Sequence, residues 1–171
     1  APYDYKDSIL GGARVREAQL KAMRMIPSSG MAVTLDIGKE KYIHPPDKTT
    51  VAKRLAYWAL AKTYHKEGLP FSGPVYSSMV IHGNKITVQF EYAADGLTSN
   101  GRALENFEIA GTDKIFHPAK ANILYPAGTI EIWSNEVKEP VAVRYAYKNW
   151  VIGDLYNTEG LPASSFRTDD F

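Results

Sequence analysis

The chain has no cysteine and almost no net charge. Among its 171 residues, 20 Lys and Arg stand against 19 Asp and Glu, which gives a net charge of +1. The absence of cysteine excludes disulfide bridges and thiolate metal sites. A nucleic-acid partner is not expected, because proteins of that class need a basic excess to neutralise phosphates. No apolar run approaches the ~20 residues that span a bilayer, so we expect no membrane span.

The composition is that of a globular protein. The hydrophobic fraction is 44% and the charged fraction 23%, which is typical of soluble folded domains. The length allows one ordinary domain or two small ones. Eleven Tyr and three Trp residues are suited to β-sheets and to sugar-binding surfaces, and equally to ordinary cores.

Residues 1–67 show a helix–strand–helix pattern. Apolar residues at helical spacing predict a first helix that starts near Gly12 and ends before Pro27. The short apolar run over 31–37 predicts a strand buried on both faces, as in a parallel sheet. Asp47 is the expected N-cap of a second helix that ends at Gly68. The expected core-facing residues are Val15, Ala18, Ala22, Met25 and Ile26 on the first helix, and Val51, Ala52, Leu55, Ala56, Trp58 and Ala59 on the second.

Residues 69–171 change to a period of two. "KITVQFEY" alternates apolar and polar side chains, and "GTIEIWS" and "VAVRYAY" do the same. "HGN" before Lys85 indicates a tight turn between two strands. These short strands, separated by Gly, Pro and Asn, predict an antiparallel β-sandwich, with the aperiodic tail as an ordered loop. We therefore expect two domains, residues 1–68 and 69–171.

The predicted parallel strand is incomplete on its own. Such a strand needs neighbours on both edges and helices on both faces, and residues 1–67 contain only one strand of this type. This part of the chain is therefore expected to belong to a larger α/β unit, unless the strand is misread.

His44 is the first candidate for chemistry. Pro45 and Pro46 disfavour helical backbone just after it, so its ring lies on a stiff, extended segment. The segment follows the predicted strand, and ligands bind at the carboxyl ends of strands in open α/β sheets. The pKa of histidine lies near neutrality, which suits a general base. A loop histidine that only packs or caps is equally compatible with these observations.

A series of longer motifs resembles a known family. In chain order these are "APYDY", "VREAQLKAM", "GMAVTLDIG", "IHPPDK", "RLAYWALAKTY", "SGPVYSSM", "FEIAG", "PVAVRYAY" and "LYNTEGLPASSFRTDD". They resemble, over nearly the whole chain, the sialate O-acetylesterase-like proteins. These belong to the SGNH or GDSL-like hydrolases, which include carbohydrate acetylesterases.

The resemblance implies a serine esterase seen through its C-terminal portion. It implies the end of an SGNH-type three-layer α/β/α hydrolase domain over residues 1–68, followed by the β-sandwich. It assigns the general-base role to His44, with no cofactor or metal. The nucleophilic serine and the oxyanion-hole residues of the family lie upstream of "APYDY", so the implied partners are the N-terminal portion of the enzyme and an acetylated carbohydrate. The implied location is secreted, periplasmic or lysosomal.

One position departs from the family pattern. Many SGNH hydrolases have an aspartate three residues before the histidine, where this chain has Lys41. Asp36 is our candidate for the acid that orients the His44 ring, because the end of a strand is well fixed. Glu40 or a backbone carbonyl are the alternatives, and Asp36 could equally serve only to receive loop N–H groups.

Several other residues were weighed as sites. His65, His82 and His117 have no metal-ligand spacing with His44. Serines 8, 28, 29 and 72 are interpreted as caps and loop residues rather than nucleophiles. Trp133 and Trp150 could stack on a sugar, although packing is the more common role. Arg144 and Arg167 could bind a sugar carboxylate, but nothing in the sequence favours either. The alternative function for the whole chain is a non-catalytic carbohydrate-binding or interaction module centred on residues 69–171.

Overall fold

The computed structural model describes residues 1–6, 10–125 and 128–171. Two helices come first, α1 (Gly11–Met25) and α2 (Lys48–Trp58), and a π-helical turn (Ala59–Thr63) continues α2. The strands follow: β1 (Val75–His82), β2 (Lys85–Glu91), β3 (Leu97–Thr98), β4 (Phe107–Ala110), β5 (Phe116–Pro118), β6 (Lys120–Leu124), β7 (Thr129–Trp133), β8 (Ala142–Tyr145), β9 (Tyr156–Asn157) and β10 (Phe166–Arg167). The helices thus precede Gly68 and these strands follow it, while the division into domains at that residue stays a prediction.

The strands form two four-stranded antiparallel sheets. The first has the order β1-β2-β7-β6 and the second β10-β8-β4-β5, with a small β3-β9 pair beside them. The predicted hairpin is confirmed: His82 pairs with Lys85 across the turn. Gly83 has a φ of +59° there, a backbone conformation that glycine adopts without steric cost.

The two sheets share one hydrophobic core, as the alternating strands predict. Ile86 and Val88 of β2 are completely buried, and so are Val143 and Tyr145 of β8. Phe107 and Ile109 of β4 belong to the same cluster. The antiparallel, sandwich-like arrangement expected for residues 69–171 is therefore confirmed.

The tail is ordered, as expected, and it is also deeply packed. The buried hydroxyl of Tyr145 accepts hydrogen bonds from the backbone N–H groups of Asp154 (3.1 Å) and Leu155 (3.0 Å), and donates one to the Asp154 carboxylate (3.1 Å). Phe166 of β10 stacks on Tyr76 of β1, with 4.8 Å between ring centroids. The tail therefore links the two sheets.

The strand expected over 31–37 does not form. This segment has no strand neighbour among the described residues, and other groups bind its backbone carbonyls. The Leu35 carbonyl accepts from the Gly153 N–H (3.1 Å), and the Trp58 indole N–H donates to the Met31 carbonyl (2.9 Å). Leu35 is nevertheless buried in the sandwich core. The described residues thus form no parallel sheet, and the α/β/α layer expected for residues 1–68 is not observed in them.

The bounds of α1 agree with the prediction to within a residue, and those of α2 agree only at its start. Asp47 caps α2 as expected, by accepting from the Thr50 N–H (2.9 Å). The helical segment ends at Thr63 rather than near Gly68. His65 takes the left-handed conformation there, with φ +51°. No helix among the described residues is long and apolar enough to cross a membrane.

Candidate active site

The backbone holds His44 between a turn and a helix cap. The Tyr42 N–H donates to the Lys39 carbonyl (3.1 Å), which closes a turn just before the histidine. After Pro45 and Pro46, Asp47 accepts from both the backbone N–H and the hydroxyl of Thr50. These hydrogen bonds lower the pKa of Asp47. The stiff segment expected around the histidine is therefore tied at both ends.

The His44 ring faces solvent. It is exposed, as are its neighbours Tyr42 and Ile43. Within residues 1–6, 10–125 and 128–171 it has no hydrogen bond or ion pair with another side chain. A general base works only within hydrogen-bond reach of the proton that it takes. This part of the chain places no such group beside His44, and its assignment as a base stays a prediction.

Asp36 is engaged by an arginine. Arg54 donates to both of its carboxylate oxygens, at 2.7 and 2.6 Å, and also to the Val33 carbonyl at 2.7 Å. The Arg54 and Asp36 side chains are only 10% and 15% exposed. Such a bidentate pair is both strong and geometrically specific. The sequence analysis missed Arg54 as the partner of Asp36. A cation two turns into the helix that follows Asp47 is the sequence feature that could have indicated it.

The Asp36–Arg54 pair ties together the two ends of the His44 segment. Asp36 precedes the turn and Arg54 lies in α2, so the ion pair spans residues 36–54. Trp58 adds a second attachment by packing on Gly30, where a Cβ would lie 2.4 Å from the indole ring. Gly30 lies just before the segment predicted as a strand, and its lack of a side chain admits Trp58. Glu40, the alternative acid, has an exposed side chain, while its carbonyl accepts from the Asp4 N–H.

The serines that are described have local roles. The Ser29 hydroxyl donates to the carbonyls of Met23 (3.0 Å) and Ile26 (2.7 Å), at the C-terminal end of α1. The Ser72 hydroxyl donates to the Gly73 carbonyl (3.0 Å). Ser28, which precedes Ser29 in the loop after α1, has a positive φ of +56°. Ser8 lies outside the described residues.

The remaining histidines do not form a metal centre. His117 makes a hydrogen bond with Glu136 (2.9 Å), His82 ends the first strand of the hairpin, and His65 follows α2. Over the described ranges, no group of three or more His, Asp or Glu side chains is placed to hold a metal ion.

Much of the apolar stripe on each helix is exposed, contrary to expectation, although Trp58 of α2 is buried as expected. Val15 is 57% exposed and Met25 80%, on the α1 face that was expected to be buried. Leu55 of α2 is 50% exposed. A groove of 480 Å³ lies between the two faces, lined in part by Ala22, Ile26 and Leu55. Both stripes exist, but within the described residues Val15, Met25 and Leu55 are left largely uncovered.

Polar side chains instead fix α1 to the sandwich. Glu17 accepts from the Tyr147 hydroxyl and, at 3.0 Å, from Arg167, and also binds Lys21 on its own helix. Burial alone would raise the pKa of Glu17, but these hydrogen bonds outweigh it and lower the pKa to about 2. Burial, together with Glu17, raises the pKa of Tyr147 to about 12. Arg16 donates to Ser165 and to the carbonyls of Ala146 and Lys148.

The two arginines that were left without a role are therefore structural partners. Arg167 binds Glu17, and Arg144 makes a bidentate ion pair with Asp169, at 2.9 and 2.6 Å. Glu17 lies 150 residues from Arg167 in the sequence, and Asp169 lies 25 residues from Arg144. No local sequence pattern therefore identifies these two pairs. Neither guanidinium is free to bind a sugar carboxylate in this arrangement.

The chain is similar to a solved carbohydrate acetylesterase from Xanthomonas citri. The two structures superpose with a TM-score of 0.86 over 93% of this chain, and the sequences are 38% identical. The match covers 36% of the acetylesterase chain, so this chain spans about a third of the length of the protein that it matches. No protein-family model matches the chain, and no curated protein matches it significantly.

Proposed function

We propose that this chain is the C-terminal portion of a carbohydrate O-acetylesterase of the sialate O-acetylesterase-like, SGNH type. The observation that carries the proposal is the 38% identity with the Xanthomonas citri carbohydrate acetylesterase over 93% of this chain. That comparison supports an esterase acting on carbohydrate esters. The finer assignments, to sialate-type esters and to the SGNH class, are supported by the motifs around "GMAVTLDIG" and "IHPPDK".

The proposal includes a preceding protein segment that packs on α1 and α2. Two observations support it: the exposed apolar stripes that carry Val15, Met25 and Leu55, and the 64% of the matched acetylesterase that has no counterpart here, which follows from its 36% coverage. Large contiguous apolar surfaces on soluble proteins commonly mark sites where another protein segment packs. The segment would supply the sheet neighbours and the serine nucleophile.

His44 acts as the general base in this scheme. It removes the proton of the serine hydroxyl as the serine oxygen attacks the acetyl carbonyl, and it returns the proton to the sugar oxygen that leaves. Water, deprotonated by the same ring, then attacks the acetyl-enzyme; the bond to the serine breaks, acetate is released, and the ring returns the proton to the serine oxygen. Asp36 is the proposed orienting acid, with Glu40 and a backbone carbonyl as alternatives. Its bidentate pair with Arg54 supports an action through the position of the loop.

The experiment is an assay of acetate release from O-acetylated xylo-oligosaccharides and from O-acetylated sialic acid. The protein made of the preceding segment and these 171 residues should release acetate, from one or both substrates. The 171-residue chain alone should be inactive, and co-expression with the segment should restore activity. A fully active, monomeric 171-residue chain would mean that the nucleophile is one of its own serines, and would refute the proposed division of the site.

A further inference from the structure

A second groove lies on the sandwich, at the sheet edge opposite the helices. Arg24 of α1 donates to the Tyr76 carbonyl of β1, the edge strand on the helix side of the sheet β1-β2-β7-β6. The groove, of 690 Å³, runs along the other edge strand, β6. Its second wall is the loop 99–104. Two intervening strands therefore separate it from the helices.

The loop wall has a defined turn. The Arg102 N–H donates to the Ser99 carbonyl (3.1 Å), and the Asn100 N–H donates to the Thr98 hydroxyl (3.0 Å). Asn100 and Gly101 both have positive φ angles, +53° and +76°. This turn places Arg102 among the residues that line the groove.

Aromatic side chains stand among the lining residues. Tyr125 is 73% exposed, and its hydroxyl donates to the Leu97 carbonyl (3.2 Å), which fixes the ring while leaving it open to solvent. Trp133 is half-buried and lies in register between Lys85 and Lys120 of the neighbouring strands. Its indole N–H has no acceptor in the described part of the chain. An exposed, fixed ring and a free N–H donor are what a bound sugar can use.

The groove is positively charged. Arg102 and Lys120 are exposed, and neither takes part in an ion pair with any residue that the structure describes. The residues that line the groove include no Asp or Glu. The carboxylate of Glu131, opposite Asn122 on the same sheet, is paired with Lys85 at 2.7 Å. Two cations are thus left without a counter-charge beside the aromatic rings.

We infer that this groove binds an acidic saccharide, a chain with a pyranose ring that carries a carboxylate. The apolar face of the pyranose stacks on Tyr125, and the carboxylate is bound by Arg102 and Lys120. Asn122 and the Trp133 N–H form hydrogen bonds with ring hydroxyls. Arginine suits the carboxylate because its planar fork can donate two parallel hydrogen bonds. The site is distinct from His44 and does not depend on the proposed esterase activity.

Isothermal titration of the 171-residue chain tests the inference. The probes are trigalacturonate and N-acetylneuraminic acid, as two sources of the carboxylate, and xylotriose as the neutral control. One or both acidic probes should bind at least about tenfold more tightly than xylotriose, and more weakly as salt is raised, because exposed charges are screened. The acidic probe that binds more tightly then identifies the type of saccharide that supplies the carboxylate.

Variants locate the site. Arg102→Ala and Lys120→Ala should each weaken binding of the acidic probe about fivefold or more. Tyr125→Ala should also weaken its binding, through the loss of stacking. Lys138→Ala removes an exposed cation outside the groove and should change the affinity less than twofold. All four residues are exposed, so the variants should fold like the parent chain. Their far-ultraviolet circular dichroism spectra are expected to match that of the parent chain. Failure of both acidic probes at millimolar concentration, equal binding of xylotriose, or unchanged affinity in both cation variants would overturn the inference.

Discussion

Single side chains decide how the candidate site is held together. Arg54 is the clearest case, because it joins Asp36 and the Val33 carbonyl to α2 and so closes the segment that carries His44. Removing one member of such a pair leaves the other charge buried without a partner, which is more destabilising than the pair is stabilising. The position of His44 therefore depends on two residues that do not touch it in the described structure.

Replacement of Asp36 by Asn tests this dependence. We expect the free energy of unfolding to fall by about 3 kcal/mol, and turnover of the assembled enzyme to fall less than on loss of His44. Arg54→Gln is the matched variant, since it breaks the same pair from the other side. Similar losses of turnover in the two would support an action through loop position. Turnover is measured under conditions in which both variants are folded. A much larger loss of turnover in Asp36→Asn than in Arg54→Gln would contradict this and favour a direct contact of Asp36 with the imidazole.

At the scale of elements, the junction between α1 and the sandwich is made by charged groups. Glu17 receives hydrogen bonds from Lys21, Tyr147 and Arg167, which hold its pKa at about 2. A carboxylate whose pKa is lowered on folding stabilises the protein above its ordinary pKa, and that stabilisation is lost as the pH falls through the folded value. The junction is therefore expected to weaken between about pH 4.5 and pH 2.

The Glu17→Gln variant tests this expectation through the pH dependence of its free energy of unfolding. At pH 7 we expect it to lower the free energy of unfolding by about 1.5–3 kcal/mol, the scale of hydrogen bonds to charged groups. The difference from the parent chain should shrink as the pH falls from 4.5 towards 2. Denaturant titrations at a series of pH values measure it, with Glu67→Gln as an exposed control that should have little effect. A constant difference across that range would show that Glu17 acts through packing rather than charge.

The elements differ in how far they could be predicted from the sequence. The strands β2, β7 and β8 were predictable because alternation reports directly which face is buried, as at Ile86 and Val143. The segment 31–37 was not, because an apolar run signals burial without saying what is buried against it. Leu35 is buried, but in the sandwich core. The helix stripes were found, and Trp58 is buried as expected, but burial was wrongly assumed for Val15, Met25 and Leu55, because periodicity cannot report whether the covering surface lies in the same chain.

The candidate site was predictable only in part, for a related reason. The stiff backbone at His44 follows from two adjacent prolines and from the Asp47 cap, which are local signals. Three of the pairs join distant parts of the chain: Asp36 with Arg54, Glu17 with Arg167, and Arg144 with Asp169, with separations of 18, 150 and 25 residues. A pair of this kind depends on the folded arrangement and leaves no periodic trace, so the sequence did not reveal that Arg54 binds both oxygens of Asp36, and the role of Asp36 towards His44 stays a prediction.

On the scale of the whole molecule, the described chain has a complete sandwich and an uncovered helical layer. The sandwich has a continuous buried core that includes Ile86, Phe107 and Tyr145. The helices expose Val15, Met25 and Leu55, and His44 lies on the same N-terminal part with no hydrogen-bond partner among the described residues. This contrast fits a chain that matches about a third of a longer acetylesterase. The esterase proposed here therefore consists of these 171 residues together with a preceding segment.

The central claim is that His44 is the base of an esterase completed by a preceding segment. The most direct measurement is the rate of acetate release by the assembled protein with His44→Asn, beside His82→Asn as a control at an exposed hairpin position. The account predicts that His44→Asn lowers kcat by about 10³-fold or more, the usual cost of losing a triad member, with an unchanged melting temperature, while His82→Asn stays within twofold. A His44→Asn protein that keeps its kcat within a few-fold of the parent would contradict the claim and leave His44 a loop residue.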